Sequence, residues 1–207
     1  MVRPVRTKKK LRTKQIDVHF NKYFSPEFFA WLIPQVNEYG LITSVRPADS
    51  LRYFKRKLNL PEGRVYSGFV PVGFCSSVAD RAMLLGDACG QAKPLTGGGI
   101  IFSLRAARHA ARVIKTAAAS NRFSSGALLP YENAWKRELA NEIRLQLVVR
   151  HAYRKFTNRD IDKLFVKFGH GISQVRDFDY DRLSTLSKGV SKLQLLRYML
   201  PRIGTLF

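Results

Sequence analysis

A glycine-dense stretch, Gly86-Asp87-Ala88-Cys89-Gly90-Gln91-Ala92-Lys93-Pro94-Leu95-Thr96-Gly97-Gly98-Gly99, stands between two apolar patterns. Before it lies Arg81-Ala82-Met83-Leu84-Leu85, short, apolar on both faces and stopped by glycine, which predicts a buried central strand. After it a helical period begins at Ile100. A carboxylate at the end of such a strand, Asp87, stands at the carboxyl edge of a sheet and is a good acceptor for a ligand hydroxyl. Gly97, Gly98 and Gly99 strip the following bend of side chains, so backbone N–H groups can approach a flat ligand. The helix that opens at Gly99 adds a positive dipole end, worth about 0.3–1 kcal/mol to an exposed anion and about 2 kcal/mol when partly buried. Hydroxyls alone suit a sugar; hydroxyls with a planar anion suit a cofactor. Gly-Asp alone is an ordinary turn signal.

The segment is not a dinucleotide fingerprint. That motif needs a strand directly before GxGxxG and an acidic residue about 20 positions on. No strand directly precedes Gly97-Gly98-Gly99, Phe102 stands where the third glycine belongs, and nothing else in the chain supplies the pattern.

Other chemistry is sparse. Cys75 and Cys89 are far apart with no CxxC, which encodes neither a disulfide framework nor a zinc site and suits a reducing interior. Cys89 reads as a small filler and Cys75 as structural. His19, His109, His151 and His170 have no metal spacing or carboxylate partner motif, so no metal site is expected. Phe28, Phe29 and Trp31 read, taken alone, as core packing.

The elements that must position these residues follow from periodicity. Ile16–Phe20 alternates as a strand, and Phe28–Pro34 is an aromatic-rich strand ended by its proline. Gly40–Val45 and Val65–Val72 are further strand candidates. Pro47–Leu58 is a short helix with Leu51, Phe54 and Leu58 on one face. The helix from Ile100 presents Ile100, Ile101, Leu104, Ala107, Ala111 and Ile114 as its apolar stripe, with Arg105, Arg108, Arg112 and Lys115 solvated and Ala106, Ala107, Ala110 and Ala111 permitting close approach. A long amphipathic helix runs from about Ser125 to Phe156 through Leu128, Tyr131, Trp135, Leu139, Ile143 and Leu147. Thr157-Asn158-Arg159-Asp160 is a capping box opening another, closed by Gly169 and Gly171, and a last helix is expected around Leu193–Met199.

With these residues in place the sequence resembles a known family. Gly86-Asp87-Ala88-Cys89-Gly90 with Pro94-Leu95-Thr96-Gly97-Gly98-Gly99-Ile100 looks like the second flavin motif of aromatic-hydroxylase-like FAD proteins, and more narrowly of the geranylgeranyl reductase family. Phe29-Ala30-Trp31-Leu32-Ile33-Pro34 is similar to that family's aromatic-x-Trp-x-aromatic-Pro motif, and Leu128-x-x-Tyr131-x-x-x-Trp135 to its C-terminal region. The resemblance covers roughly residues 17–168.

The resemblance implies FAD as cofactor, held by Gly86, Asp87, Pro94, Gly97, Gly98, Gly99 and Ile100. Asp87 would accept from a ribityl hydroxyl, and the bend would lie along the isoalloxazine with N–H groups near N1 and the C2 carbonyl, stabilising charge on the reduced ring. Phe29, Trp31 and Pro34 would form the apolar wall for a polyprenyl substrate. The implied reaction is reduction of isolated carbon–carbon double bonds of polyprenyl lipids, with no catalytic side chain from this half. Ile33 and Phe29 depart from the family's usual residues, costing the wall a ring and a hydroxyl, and Cys89 stands where a small apolar residue is usual.

The implied fold class is α+β: a mixed or antiparallel substrate-cavity sheet, a strand, Gly-Asp, glycine-turn, helix motif, and a helical C-terminal region, incomplete for lack of the N-terminal Rossmann unit. The chain resembles the family's C-terminal half only. It is either one part of a split enzyme with an N-terminal FAD-binding partner chain, or a truncated product, or a degenerate relative, and alone it should bind FAD weakly or not at all.

Length and composition frame this reading. The 207 residues, 45% hydrophobic and 25% charged, suffice for a core and exclude wholesale disorder. No apolar stretch approaches a membrane span and none follows the basic N-terminus, so neither a spanning helix nor a secretory leader is expected. Thirty-six Lys+Arg against fifteen Asp+Glu give +21, a surplus that favours polyanions. Seven of those bases (Arg3, Arg6, Lys8, Lys9, Lys10, Arg12 and Lys14) precede the first acid, so residues 1–15 read as a basic flexible arm, 16–120 as the sheet and flavin motif, and 121–207 as the helical region. The expected location is cytoplasmic, in peripheral contact with anionic membrane. The rival reading is a non-catalytic basic module for nucleic acid or an anionic surface; scattered bases and the lack of any nucleic-acid motif weigh against nucleic acid.

Overall fold

The computed structural model describes residues 1–175 and scattered positions between 182 and 201. Its elements are β1 (Val2–Arg6), β2 (Asp17–His19), β3 (Ala30–Ile33), β4 (Glu38–Ile42), α1 (Pro47–Lys57), β5 (Arg64–Val65), β6 (Val78–Ala79), β7 (Ala82–Met83), α2 (Ile100–Ala119), α3 (Ser125–Arg154) and α4 (Asn158–Ser173). It is a mixed α/β chain with an antiparallel sheet and four helices among the described residues, the coarse class expected from sequence. The chain divides into two compact units. Unit one holds Met1–Val70 with Ala152–His170 and Leu200–Phe207, and unit two holds Pro71–His151 with Gly171–Met199. Neither boundary coincides with the divisions at 15/16 and 120/121 expected from composition.

Unit one is built on a five-stranded sheet in the order β2-β3-β4-β1-β5, each described pairing antiparallel. The basic arm is therefore corrected: Val2–Arg6 is an interior strand, paired with β4 from Val2 opposite Ile42 to Arg6 opposite Glu38, and with β5 through Val5 and Arg6. Val5 is 1% exposed while Arg6 points to Glu38, 3.2 Å away. The physical reason is that backbone pairing makes the strand: Val5 turns to the core and Arg6 to the other side, while Arg3, on the face of Val5, is half-buried. Without an alternating pattern, net charge is the stronger local signal. Leu11, further along the supposed arm, is also buried.

Strands β2 and β3 and helix α1 form where periodicity put them, β3 stops at Pro34, which opens a 3-10 turn, and the strand expected over Gly40–Val45 is shifted toward the N-terminus as β4. The expected strand over Val65–Val72 shrinks to β5 plus a bridge between Val2 and Gly68. Ala30 and Leu32 of β3 join Val5, Phe24, Tyr39, Leu41, Leu51 and Phe54 in the core of this unit, leaving Trp31 and Ile33 half-buried on the other face.

In unit two, Phe102, Ala106 and Ala110 of α2 pack with Tyr131, Trp135, Leu139 and Ile143 of α3. Two expectations fail here. Arg81–Leu85 is no buried central strand: among the described residues β7 pairs only with β6, as a hairpin, and Leu84 and Leu85 are 41% and 40% exposed. An apolar run is buried only if the chain supplies strands on both sides, and here it supplies one two-residue partner. Second, the stripe read on α2 faces outward. Ile100, Leu104 and Ile114 are 79%, 59% and 48% exposed, and the buried face is Phe102, Ala106, Ala110 and Ala117. Both faces are apolar, and periodicity cannot say which one a neighbour takes.

The capping box holds. Asp160 N donates to Thr157 Oγ1 at 3.2 Å, while Thr157 N donates to Asp160 Oδ2 at 3.0 Å. Gly169 and Gly171 do not close α4, which continues to Ser173. Of the helix expected around Leu193–Met199, Leu193, Gln194, Arg197 and Tyr198 are helical, and the other positions lie outside the described residues.

Candidate functional site

The glycine-dense segment folds as a series of tight turns. Gly86–Cys89 is a 3-10 turn whose ends, Gly86 and Gly90, have φ of 65° and 75°, a region that costs glycine nothing. A side chain at Gly90 would also collide with Gly73, whose carbonyl oxygen lies 1.8 Å from where its Cβ would be. Downstream, Lys93 N donates to Gly98 O at 2.9 Å and Gly97 N donates to Lys93 O at 2.8 Å, closing the second bend on itself. Pro94 is buried beneath it, while Gly98 is exposed.

The two turns face each other. A Cβ on Gly99 would stand 3.0 Å from Asp87 Oδ1 and 3.5 Å from the Ala92 Cβ. Gly99 caps α2 with no side-chain hydrogen bond, and the first turn of α2 has no acid. The first amides of α2 therefore keep their positive character, since a helix cannot satisfy them itself. An exposed carboxylate, a side-chain-free bend and an uncapped helix N-terminus converge. In chemistry, such a set is suited to a group offering a hydroxyl on one side and a flat anionic edge on the other.

Helix α3 and one glutamine hold this arrangement from behind, and sequence reasoning missed that. Gln91 is fully buried: its Oε1 accepts from Gly86 N at 2.8 Å, and its Nε2 donates to Tyr131 Oη at 2.8 Å. Tyr131 passes the chain on, donating to Leu84 O at 2.7 Å; burial pushes its hydroxyl up to about 12, so it stays a donor. Farther along α3, Gln146 Oε1 accepts from Leu95 N at 3.4 Å and buried Arg150 Nη1 donates to Pro94 O at 3.1 Å. A signal for the last two existed: Gln146 and Arg150 interrupt the apolar stripe of Leu139, Ile143 and Leu147. Cys89 is buried and desolvation drives its thiol up to about 11, as befits a filler.

A second network fixes the hairpin. Glu132 Oε2 accepts from Ser77 N at 2.5 Å and Ser77 Oγ at 3.0 Å, Oε1 from Lys136 Nζ at 2.6 Å, and Trp135 Nε1 donates to Ser77 Oγ at 2.8 Å. Desolvation alone would raise the Glu132 carboxyl, but these donors outweigh it and hold it at about 2. His109, expected to lack a carboxylate partner, lies 2.7 Å from Glu138, which also draws in Arg105 and Arg108 at 4.0 and 3.8 Å. Those arginines are thus not simply a solvated face. Among the described residues no cluster of His, Cys, Asp or Glu could hold a metal.

In unit one, Phe29 and Trp31 stand on the face of the sheet opposite the core. Their rings meet edge to face at 6.2 Å, and Phe29 continues to Phe20 at 5.9 Å and Phe20 to Phe165 at 5.4 Å. Trp31 lies over Gly40, where a Cβ would fall 2.7 Å from its Cζ2. Pro34, at the far end of β3, is half-buried. Beside the row, a cleft of about 490 Å³ is lined by Val18, His19, Phe20, Phe24, Ile161 and Phe165.

No family model matches the chain. Among curated proteins, the digeranylgeranylglycerophospholipid reductase of Methanococcus aeolicus is 32% identical over 155 residues, 67% of this chain and 39% of the relative. The chain belongs to the geranylgeranyl reductase family. A second member, digeranylgeranylglycerophospholipid reductase 2 of Methanococcoides burtonii, is 27% identical over 179 residues, 79% of this chain and 42% of its own length. A geranylgeranyl bacteriochlorophyll reductase-like crystal structure from Thermoplasma acidophilum superposes with a TM-score of 0.76 at 18% identity, over 97% of this chain and 54% of that one, so the fold is shared. The chain spans about 40% of the length of these two curated members and about half of the solved one. No helix among the described residues is long and apolar enough to cross a membrane.

Proposed function

We propose that this chain is part of a FAD-dependent reductase acting on carbon–carbon double bonds of polyprenyl lipids, completed by the portion of the family fold that it does not span. The observation that carries this reading is the convergence of Asp87, the Gly97–Gly99 bend and the uncapped start of α2, in a chain of this family. The donor set fits the cofactor. Asp87 would accept from a sugar-alcohol hydroxyl; Gly97 and Gly98, whose amides are held within the bend by Lys93 O and Thr96 Oγ1, would give the ring a side-chain-free floor over buried Pro94, and the amides of Gly99 and Ile100 would take its edge. FAD, when bound, supplies the reducing equivalents. The chain supplies fixed positive dipoles in place of mobile water, with Gln91, Tyr131 and Arg150 keeping them from relaxing. Phe29, Trp31 and Pro34 would offer the prenyl chain an apolar surface, and the basic surplus suits an anionic headgroup or membrane face.

The test is reconstitution. The complementary part of the Methanococcus aeolicus relative is fused ahead of the chain, and retained flavin is measured after desalting. The expected outcome is stoichiometric flavin in the fusion, weak retention by the chain alone, and loss of retention in Asp87→Ala and Gly98→Val fusions. With dithionite as reductant, a polyprenyl lipid should gain two hydrogens per double bond by mass spectrometry. A folded but colourless fusion refutes the proposal.

A further inference from the structure

Helix α2 carries a second apolar face that stays exposed among the described residues. Phe102, Ala106, Ala110 and Ala117 are buried, and at 100° per residue they centre about 120° around the helix from Ile100, Leu104, Ala107, Ala111 and Ile114. The second set recurs at intervals of four, three, four and three, the spacing of a seam against a neighbouring element, and extends for roughly 21 Å. Ile100, Leu104 and Ile114 are 79%, 59% and 48% exposed, and Ala111 is exposed too. Large residues at the ends and alanines at 107 and 111 leave a shallow saddle into which another backbone can come close. Leu84 and Leu85, just before the turn that packs on α2, are exposed as well. Isolated exposed leucines are ordinary; a periodic apolar row on a helix already buried along another face is not.

We infer that this row on α2 is the seam against which the remaining half of the family fold packs, whether that half lies on the same polypeptide or on another. The occupant follows from length: 97% of the chain matches only 54% of the solved neighbour, whose remainder has no counterpart here. The match to the Methanococcus aeolicus relative likewise covers only 39% of that protein. Exposed Arg108, Arg112 and Lys115 flank the row on one side, so the partner surface should carry acids along that rim. The inference rests on the proposed completion of the enzyme, but it concerns packing and does not require flavin.

The test uses the whole 207-residue chain and a separately produced segment of the Methanococcus aeolicus relative lying outside the matched region. Association is measured by sedimentation velocity with and without FAD. A one-to-one complex is expected. Leu104→Glu and Ala111→Glu, whose side chains are already in solvent, should leave the circular dichroism melt of the chain unchanged and weaken association by about tenfold or more, since each buries a charge in the seam. Thr116→Glu, on the exposed side away from the row, should not weaken it. Association that ignores both seam variants, no association at all, or a stable dimer of the chain alone that Leu104→Glu splits would overturn the inference. A colourless complex sensitive to Leu104→Glu would refute the flavin proposal and leave the seam standing; a yellow complex insensitive to it would do the reverse.

Discussion

The buried amide of Gln91 and the hydroxyl of Tyr131 meet at 2.8 Å, and through that bond a residue of α3 governs the turn that carries Asp87. Gln91 spends its other end on Gly86 N, and Tyr131 its proton on Leu84 O. The three bonds span both ends of the Leu84–Gly86 segment.

Cutting this relay should cost stability and do so non-additively. Gln91→Leu strands a buried amide and a phenol, and is expected to lower unfolding free energy by about 1–3 kcal/mol; Tyr131→Phe should cost about 1–2 kcal/mol. In a double-mutant cycle by urea denaturation the coupling should reach about 0.5 kcal/mol or more. Strict additivity would mean the two act separately.

Gly40 should tolerate no side chain. An added Cβ would meet Trp31 Cζ2 at 2.7 Å, Arg3 O at 2.8 Å and Pro4 Cα at 2.8 Å. Gly40→Ala is expected to cost about 2–3 kcal/mol, and adding Trp31→Ala should recover only part, because two of the three clashes are with backbone. Thermal melts of the three variants decide it.

Glu132 predicts acid lability. Its carboxyl is held at about 2 against an ordinary 4.5, so its hydrogen bonds contribute fully above about 4.5 and are lost as pH falls from there toward 2. Glu132→Gln should flatten that part of the stability profile and lower stability at pH 7 by about 1–3 kcal/mol. Denaturant midpoints measured from pH 7 to pH 3 would test it; an unchanged slope in the variant counts against the network.

The two cysteines should separate by reactivity. Cys75 is exposed, whereas Cys89 is 1% exposed with its thiol pushed up to about 11. Iodoacetamide at pH 7.5 should label Cys75 first and reach Cys89 only on unfolding, as peptide mass spectrometry would show.

Much of unit one could be read directly. Alternation over Asp17–His19, the proline at 34, and the helical period over Pro47–Lys57 are local signals, and local geometry obeyed them. The reciprocal cap at Thr157 and Asp160 is equally local. β1 escaped because its residues show no alternating pattern, and charge density says nothing about pairing.

By itself, the sequence determined which residues are glycine, proline, carboxylate or aromatic, and hence the family, the bends at Gly86 and Gly97 and the extent of the helices. Only the tertiary structure decided which face of α2 is buried, that Val2–Arg6 lies inside a sheet, and that Gln91, Tyr131, Gln146 and Arg150 brace the glycine turns. The physical reason is range. Backbone preference acts between neighbours along the chain, whereas burial and buried hydrogen bonds are settled by residues 40 or 56 positions away, as for Tyr131 with Gln91 and Arg150 with Pro94.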